Sequence, residues 1–422
     1  MEWEETLSGV APMPHGSGAP KPMPLSPPHP PSPVRGRGRV GKGGRAGGGR
    51  VGEDPLAEQM RRDGADMVMD EEQGAAYKGE EESPFCIYSP SPEIAAIPGV
   101  QRHPEEVTEA ASLSTITPPP LSYRLRIPDD VISSGRLTDV QLDAVVRACA
   151  QHERFLPGGS SARRGFLMGD GPGVGKGRQI AGIILENAMR GRRKAVWVST
   201  SADLWVDAQR DLTDSSTCGS APLTVFDLRS YNPHARLSTL PALEAGVLFV
   251  SYALLVREAA EGTTSRLEQV MEWCGGASFS GVIALDEVHR ANSFKLTSDG
   301  AVGDAGDGVR GSKSANAVTT LQARLPSARV VYVSATGASE SAHLLFAARL
   351  GLWGPGTAFP GREAFAREVK AGGTAAMEML AVQMKQGGMY LARNLSFRGA
   401  TLQVVSVPLS DSLRIQYDAA AE

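Results

Sequence analysis

The sequence is poor in aromatic residues and cysteines, and it lacks a long apolar run. Of its 422 residues, 6% are aromatic, and the four cysteines are too scattered for a CxxC zinc site or a disulfide framework. Reduced thiols in the cytosol or nucleus are therefore expected. No apolar run reaches the roughly 18 residues of a transmembrane helix. The N-terminus carries acidic residues and no apolar segment, which argues against a secreted protein.

Neither sign of charge predominates in the sequence, because the formal net charge is only −4 at pH 7. This value excludes a uniformly basic protein but not a local basic face. The chain has 48 glycines and 29 prolines, and their excess over an average composition is concentrated before residue 120. Residues 1–83 change from Pro-rich to Gly/Arg-rich and then to acidic, a composition that predicts disorder. The Gly/Arg tract at 35–52 is interpreted as a solvated linker, with nucleic-acid contact or nuclear import as alternatives.

The remaining chain has the pattern of a folded α/β domain. Residues 84–126 are interrupted by prolines and are predicted to be an extended lead-in that packs on the next domain. From residue 127 to residue 422, short apolar runs alternate with helical stretches, which predicts a parallel sheet covered by helices on both faces. The runs are Gly165–Met168, Ala195–Ser199, Leu223–Phe226, Val247–Ser251, Val282–Leu285 and Val330–Ser334.

The strongest motif is a glycine-rich segment, GDGPGVGKGR, between an apolar run and a helical stretch. In that context the backbone N–H groups can surround phosphates, and Lys176 can reach the β- and γ-phosphates of ATP. Asp170 stands where the first glycine is usual. Gly177 replaces the usual Ser or Thr that binds Mg²⁺, so water or another side chain must fill that place. A purely structural turn is the alternative. The predicted nucleotide-binding residues here are Asp170, Gly171, Gly173, Val174, Gly175, Lys176, Gly177 and Arg178.

An acidic pair follows the apolar run Val282–Leu285 and matches a Walker B element. Asp286 is predicted to hold Mg²⁺, usually through water. Glu287 is predicted to orient and deprotonate the attacking water. With Lys176, these two carboxylates form the predicted catalytic set.

Three further features are interpreted from their positions. Ser334 and Thr336 end a predicted buried strand and could hydrogen-bond His289, which would report the nucleotide state to a neighbouring domain. Gln141 precedes a helix upstream of the phosphate loop and could read the adenine edge of ATP. An ordinary strand end and an exposed helical glutamine are the alternatives.

These motifs together resemble the Q, I, II and III motifs of superfamily 2 helicases, and the chain is identified as a member of the Strawberry notch family. In that family Gly-Lys-Gly is the usual form of the loop, so Gly177 favours membership. The acidic motif commonly reads Asp-Glu-Cys-His-Lys, so Val288 and Arg290 depart from it while both carboxylates are kept. The resemblance covers residues 84–422 and is carried by residues 169–182 (GDGPGVGKGRQIAG), 197–212, 333–340, 349–356 and 388–399.

The resemblance implies a RecA-like ATPase lobe in a nuclear protein that acts in transcription and chromatin. Its implied partners are nucleic acid, with DNA or chromatin preferred over RNA, and transcription regulators, but no membrane. Ser199, Thr200 and Ser201 lie where this superfamily contacts the nucleic-acid backbone; a polar loop is the alternative. The family also implies a second lobe, which supplies an arginine for catalysis. Because no motif of that lobe follows, we expect a truncated form that binds nucleotide and hydrolyses it poorly alone.

A second class of function stays open at this point. The RecA-like lobe could serve a catalytically inactive transcriptional scaffold as a protein-interaction module. The intact Lys176, Asp286 and Glu287 argue against it, and the missing second lobe argues for it. A small-molecule P-loop kinase is disfavoured, because the Ser-Ala-Thr sequence at 334–336 has no obvious use there.

Overall fold

The computed structural model describes residues 84–216, 223–258, 264–291, 294–296, 309–335, 344–398 and 407–421. The segment predicted to be disordered, residues 1–83, lies outside the described residues, and so does Thr336. Within the described ranges, no helix combines the length and the apolar character needed to cross a membrane.

The strands are mostly short. In chain order they are β1 (Phe85–Ile87), β2 (Val107–Ala110), β3 (Phe166–Met168), β4 (Lys194–Ser199), β5 (Val225–Asp227), β6 (Gly246–Ser251), β7 (Val282–Leu285), β8 (Phe294–Leu296), β9 (Val309–Gly311), β10 (Arg329–Val333), β11 (Tyr390–Leu391) and β12 (Asn394–Leu395).

Helices connect most of these strands, and the longest, of 25 residues, has a kink at Gly373. In chain order they are α1 (Pro92–Ala95), α2 (Ala111–Ser114), α3 (Asp129–Ser133), α4 (Asp139–His152), α5 (Lys176–Met189), α6 (Trp205–Ser216), α7 (Tyr252–Leu255), α8 (Arg266–Cys274), α9 (Val288–Ala291), α10 (Lys313–Arg324), α11 (Arg362–Gln386) and α12 (Asp411–Ala421).

The main sheet has seven parallel strands in the order β11-β3-β10-β7-β4-β6-β5. Side chains alternate between its faces, as expected for strands. In β4, Val196 and Val198 enter one hydrophobic cluster while Ala195 and Trp197 enter the other. A sheet buried on both faces confirms the predicted α/β class.

A second sheet ties residues 84–126 to the far end of the chain. It has the antiparallel order β1-β2-β12, with Val107 opposite Leu395. Tyr88, Ile94 and Val107 are buried in the cluster on one face of the main sheet. The predicted lead-in therefore contributes strands and core residues, because its apolar side chains find a pairing partner that lies almost 300 residues later.

Candidate nucleotide-binding site

The carboxyl ends of neighbouring parallel strands bring the predicted motifs together. The glycine-rich loop follows β3, the acidic pair follows β7, Ser334 follows β10, and Ser199 ends β4. These four strands are consecutive in the sheet, in the order β3-β10-β7-β4. Parallel α/β sheets place ligands at this edge, so one site can use all four segments.

The glycine-rich loop contains two glycines with left-handed backbone angles and leads directly into a helix. Gly173 and Gly175 have φ values of 90° and 93°, in the left-handed region that favours glycine. Lys176 then begins the 14-residue helix α5, whose N-terminus offers N–H groups and the positive end of its dipole to an anion. The Val174 side chain is fully buried, so that residue can contribute only its backbone.

The Asp170 side chain is held by buried side chains behind the glycine-rich loop. It is fully buried, where its Oδ2 and Oδ1 atoms accept hydrogen bonds from Arg393 Nη2 and Nε at 2.6 and 3.0 Å. Gln179 Nε2 donates a third, at 2.9 Å. The carboxylate therefore anchors the loop to Arg393 and Gln179. The Asp170 carbonyl instead faces Lys176, whose Nζ lies 3.1 Å away. The predicted nucleotide contact of Asp170 can therefore use only its backbone, and in that form it stays a prediction.

Arg393 is the residue of this site that sequence reasoning missed. Its Nη1 donates to the Val140 carbonyl at 2.7 Å, and its guanidinium lies 4.9 Å from the centre of the Tyr88 ring. Thus one buried cation joins the phosphate loop, the start of α4 and the second sheet. The only sequence signal was its position inside the family-like segment 388–399.

The acidic pair lies beside the lysine of the loop. Glu287 Oε1 is 3.9 Å from Lys176 Nζ. Asp286 Oδ2 accepts a hydrogen bond from Ser199 Oγ at 3.0 Å. The pKa of Asp286 is raised to about 6, mainly by burial and also by the charge of Glu287, although Ser199 and Lys176 act to lower it. A carboxylate with this environment favours the approach of a cation.

Glu287 has an unusual backbone conformation. Its φ of 47° makes it the one non-glycine residue with a positive φ among the described ranges. A non-glycine residue in this region pays a steric cost of about 1–2 kcal/mol. Strain of this kind is found at functional sites, where the surrounding structure maintains it.

The predicted coupling residues are contiguous with the acidic pair. His289 Nδ1 lies 3.4 Å from Glu287 Oε2 and 3.0 Å from Ser334 Oγ. Ser334 is buried, and its N–H donates to the Met168 carbonyl on β3. A continuous path therefore runs from Lys176 through Glu287 and His289 to Ser334. The role assigned to Thr336 falls outside the described residues.

Gln141 contacts the phosphate loop directly. Its Nε2 donates to the Val174 carbonyl at 3.1 Å, and its Oε1 accepts from Thr138 N at 3.1 Å. With 4% of its surface exposed, Gln141 would have to exchange one of these contacts to read an adenine. That role stays a prediction.

The predicted nucleic-acid residues divide into two groups. Ser199 is fully buried on Asp286, so its side chain cannot touch a nucleic acid, and this part of the prediction is corrected. Thr200 is half-buried and Ser201 is exposed, so both remain available. The sequence pattern could not separate them because a serine at a strand end is equally compatible with both surroundings.

The residues present fit a nucleotide with Mg²⁺. Among the described residues, no group of three or more His, Cys, Asp or Glu side chains could hold a metal ion. Mg²⁺ is commonly held by one or two carboxylates together with phosphates and water, and Asp286 offers one such carboxylate beside the loop. The Arg178 guanidinium is partly exposed and 3.6 Å from Asp214, a weak pair that leaves it able to turn toward a phosphate.

Comparisons with known proteins support this interpretation. The family described as P-loop containing NTP hydrolase pore-1 matches residues 102–419. Protein strawberry notch homolog of Caenorhabditis elegans is 40% identical over 379 residues, which are 88% of this chain and 19% of that protein. Protein strawberry notch homolog 2 of Homo sapiens is 43% identical over 323 residues, 76% of this chain and 22% of that protein. The chain thus spans about a fifth of the length of these relatives.

Among solved structures, the Sulfolobus solfataricus SWI2/SNF2 ATPase core in complex with dsDNA is similar with a TM-score of 0.38 at 14% identity. The match covers 60% of this chain and 43% of that chain. This likeness is too low to support an inference about ligands.

Proposed function

Because the chain belongs to the Strawberry notch family and carries a P-loop NTPase, helicase-like domain, we propose that it binds ATP with Mg²⁺ and is the ATP-binding lobe of a nucleic-acid-stimulated ATPase. The observation that carries the proposal is the 3.9 Å approach of the Lys176 ammonium to the Glu287 carboxylate at the N-terminus of α5. A phosphate group bound to the loop would have a cation and a candidate general base on either side.

Each residue of the site has a specific role in this proposal. Lys176 and the backbone N–H groups after Gly173 bind the phosphates. Asp286 orients Mg²⁺ through water, and the bound ion supplies neutralisation of the phosphate charge. Glu287 holds the attacking water and accepts its proton. Ser199 keeps Asp286 oriented, since their hydrogen bond fixes the carboxylate from the β4 side.

The rest of the proposal concerns the protein to which this domain belongs. His289, Ser334 and Thr336 would couple the nucleotide to a neighbouring domain and to nucleic acid, with Thr200 and Ser201 on the nucleic-acid side. DNA or chromatin is the proposed partner, in a nuclear protein that regulates transcription. These statements rest on the family alone, and the chain spans only about a fifth of its relatives.

The test is to measure nucleotide binding and hydrolysis separately. The full chain is titrated with a fluorescent ATP analogue, and phosphate release is followed with and without single- and double-stranded DNA. Lys176→Ala should weaken binding by roughly 10–100-fold, since a hydrogen bond to a charged group contributes about 1.5–3 kcal/mol. Glu287→Gln should bind normally and lose any turnover.

Equal binding by the wild type and Lys176→Ala would refute the assignment of the loop. Retained function of the complete protein with Glu287→Gln would favour the scaffold instead, since in a scaffold the general base has no task.

A further inference from the structure

Asp211 lies in the space where common phosphate loops carry a Ser or Thr side chain. This chain has Gly177 there, and a Cβ at position 177 would lie 2.0 Å from Asp211 Oδ2 and 3.1 Å from its Cγ. Real Cβ atoms do not approach other atoms so closely. The carboxylate of Asp211 therefore occupies the space beside the first turn of α5 that a side chain at position 177 would take.

The helix that carries Asp211 is firmly packed. In α6, Ala208 and Leu212 are buried in the cluster on one face of the main sheet. This packing directs Asp211, whose side chain is 15% exposed, toward the N-terminus of α5. The positive end of the α5 dipole stabilises a carboxylate at that position.

Asp211 is paired with an arginine of its own helix. Arg210 Nη2 lies 3.2 Å from Asp211 Oδ1. Burial nevertheless raises the pKa of Asp211, although Arg210 and Arg178 lower it. A carboxylate beside a phosphate loop would also repel the phosphates unless a cation lay between them.

We propose that Asp211 replaces the missing loop hydroxyl as a ligand, direct or through one water, of the Mg²⁺ that accompanies the nucleotide. The inference rests on the proposed binding of ATP by the loop. It fits Gly177, because a residue without a side chain leaves the carboxylate in this place undisturbed. It also adds a metal-positioning residue from α6 to Asp286 from β7.

The experiment measures how strongly Mg²⁺ raises nucleotide affinity. The full chain is titrated with a fluorescent ADP analogue in Mg²⁺ and in EDTA, and the ratio of the two affinities is compared among variants. Asp211→Ala should lower that ratio by roughly 10–100-fold, the range seen when groups that support a metal are removed. Asp207→Ala is the matched control, because Asp207 is on the same helix, also pairs with Arg210 and is 51% exposed.

A compensating exchange adds a result that loss of structure cannot imitate. Asp211→Ala combined with Gly177→Ser returns a hydroxyl to the loop and should recover the Mg²⁺ dependence. Asp211→Asn keeps the shape of the side chain and guards against misfolding in Asp211→Ala. Binding of Mn²⁺ in the presence of ADP, followed by electron paramagnetic resonance, should be weakened in Asp211→Ala and Asp211→Asn and recovered in the double variant.

The outcomes separate this inference from the proposed function. Nucleotide binding by the wild type with an unchanged Mg²⁺ ratio in folded Asp211→Ala and Asp211→Asn would overturn the role of Asp211 alone. A wild-type chain that binds no nucleotide would overturn both proposals.

Discussion

The Asp170 carboxylate and the Arg393 guanidinium, 223 positions apart in the chain, form a fully buried ion pair with 2.6 Å between Oδ2 and Nη2. The phosphate loop is thereby attached to the segment between β11 and β12. Arg393 also lies over the Tyr88 ring, and the Tyr88 hydroxyl donates to Asp143. The position of the phosphate loop therefore depends on Tyr88 and Arg393, which lie near opposite ends of the described part of the chain.

Removal of one member of this pair should strongly destabilise the fold. Arg393→Ala or Asp170→Asn is expected to lower the free energy of unfolding by about 3–5 kcal/mol, because an unpaired charge or unsatisfied donor is left buried. Urea denaturation followed by circular dichroism measures the change. The exposed pair of Arg367 and Glu363 is the control, and Arg367→Ala should cost less than about 1 kcal/mol. Equal effects in the two pairs would contradict the finding.

Glycine should be better tolerated than alanine at position 287. Both Glu287→Gly and Glu287→Ala remove the carboxylate, but only alanine pays the left-handed steric cost at φ 47°. The glycine variant should therefore be more stable by roughly 1 kcal/mol, whereas alanine is ordinarily the better residue. Thermal unfolding of the two variants decides the point, and a higher melting temperature for alanine would show that Glu287 is unstrained.

Six of the seven strands of the main sheet could be predicted from the sequence because they are continuous apolar runs bounded by turns. Val282–Leu285 is the same in prediction and structure, and β10 differs by one residue at each end. The strands β1, β11 and β12 could not be predicted, because they are only two or three residues long and gain their stability from pairing with distant segments. Local pattern contains no information about such partners.

Some residues of the candidate site could likewise be predicted from the sequence and others could not. The glycines, Lys176 and the acidic pair form contiguous motifs, so their residue types and spacing predict a site for phosphate and Mg²⁺. Arg393 and Asp211 act through side chains that arrive from other elements, and a single arginine or aspartate has no local signature. Ser199 was predicted to contact nucleic acid, but its side chain contacts Asp286. The end of a strand determines where a residue lies and not what its side chain contacts.

His152 should make stability depend on pH. It is fully buried, its Nε2 donates to the Val330 carbonyl at 3.1 Å, and burial lowers its pKa to about 3. The unfolded chain takes up a proton near pH 6.5 and the folded chain does not, so stability is complete above pH 6.5 and is lost toward pH 3. The loss between pH 7 and pH 5 should be about 2 kcal/mol.

The matched variant is His152→Gln, which retains a donor for the Val330 carbonyl but does not titrate. Denaturant midpoints measured from pH 7 to pH 5 should show a shallower pH dependence in the variant than in the wild type. Identical slopes would mean that His152 is protonated in the folded chain.

Ser199 and Ser201 should affect different ligands, although they are two residues apart. Ser199→Ala removes the hydrogen bond to Asp286 Oδ2, and it should raise the pKa of Asp286 further because Ser199 lowers that pKa. A rise of about one pKa unit would lower the Mg²⁺-dependent affinity for an ADP analogue by up to about tenfold near pH 6, where more of the Asp286 carboxyl is protonated, while DNA affinity is unchanged. Ser201→Ala, at an exposed position, should leave nucleotide affinity unchanged. A loss of DNA binding in Ser199→Ala with normal Mg²⁺ dependence would instead return Ser199 to the nucleic-acid surface, and the contact with Asp286 would have no role in the site.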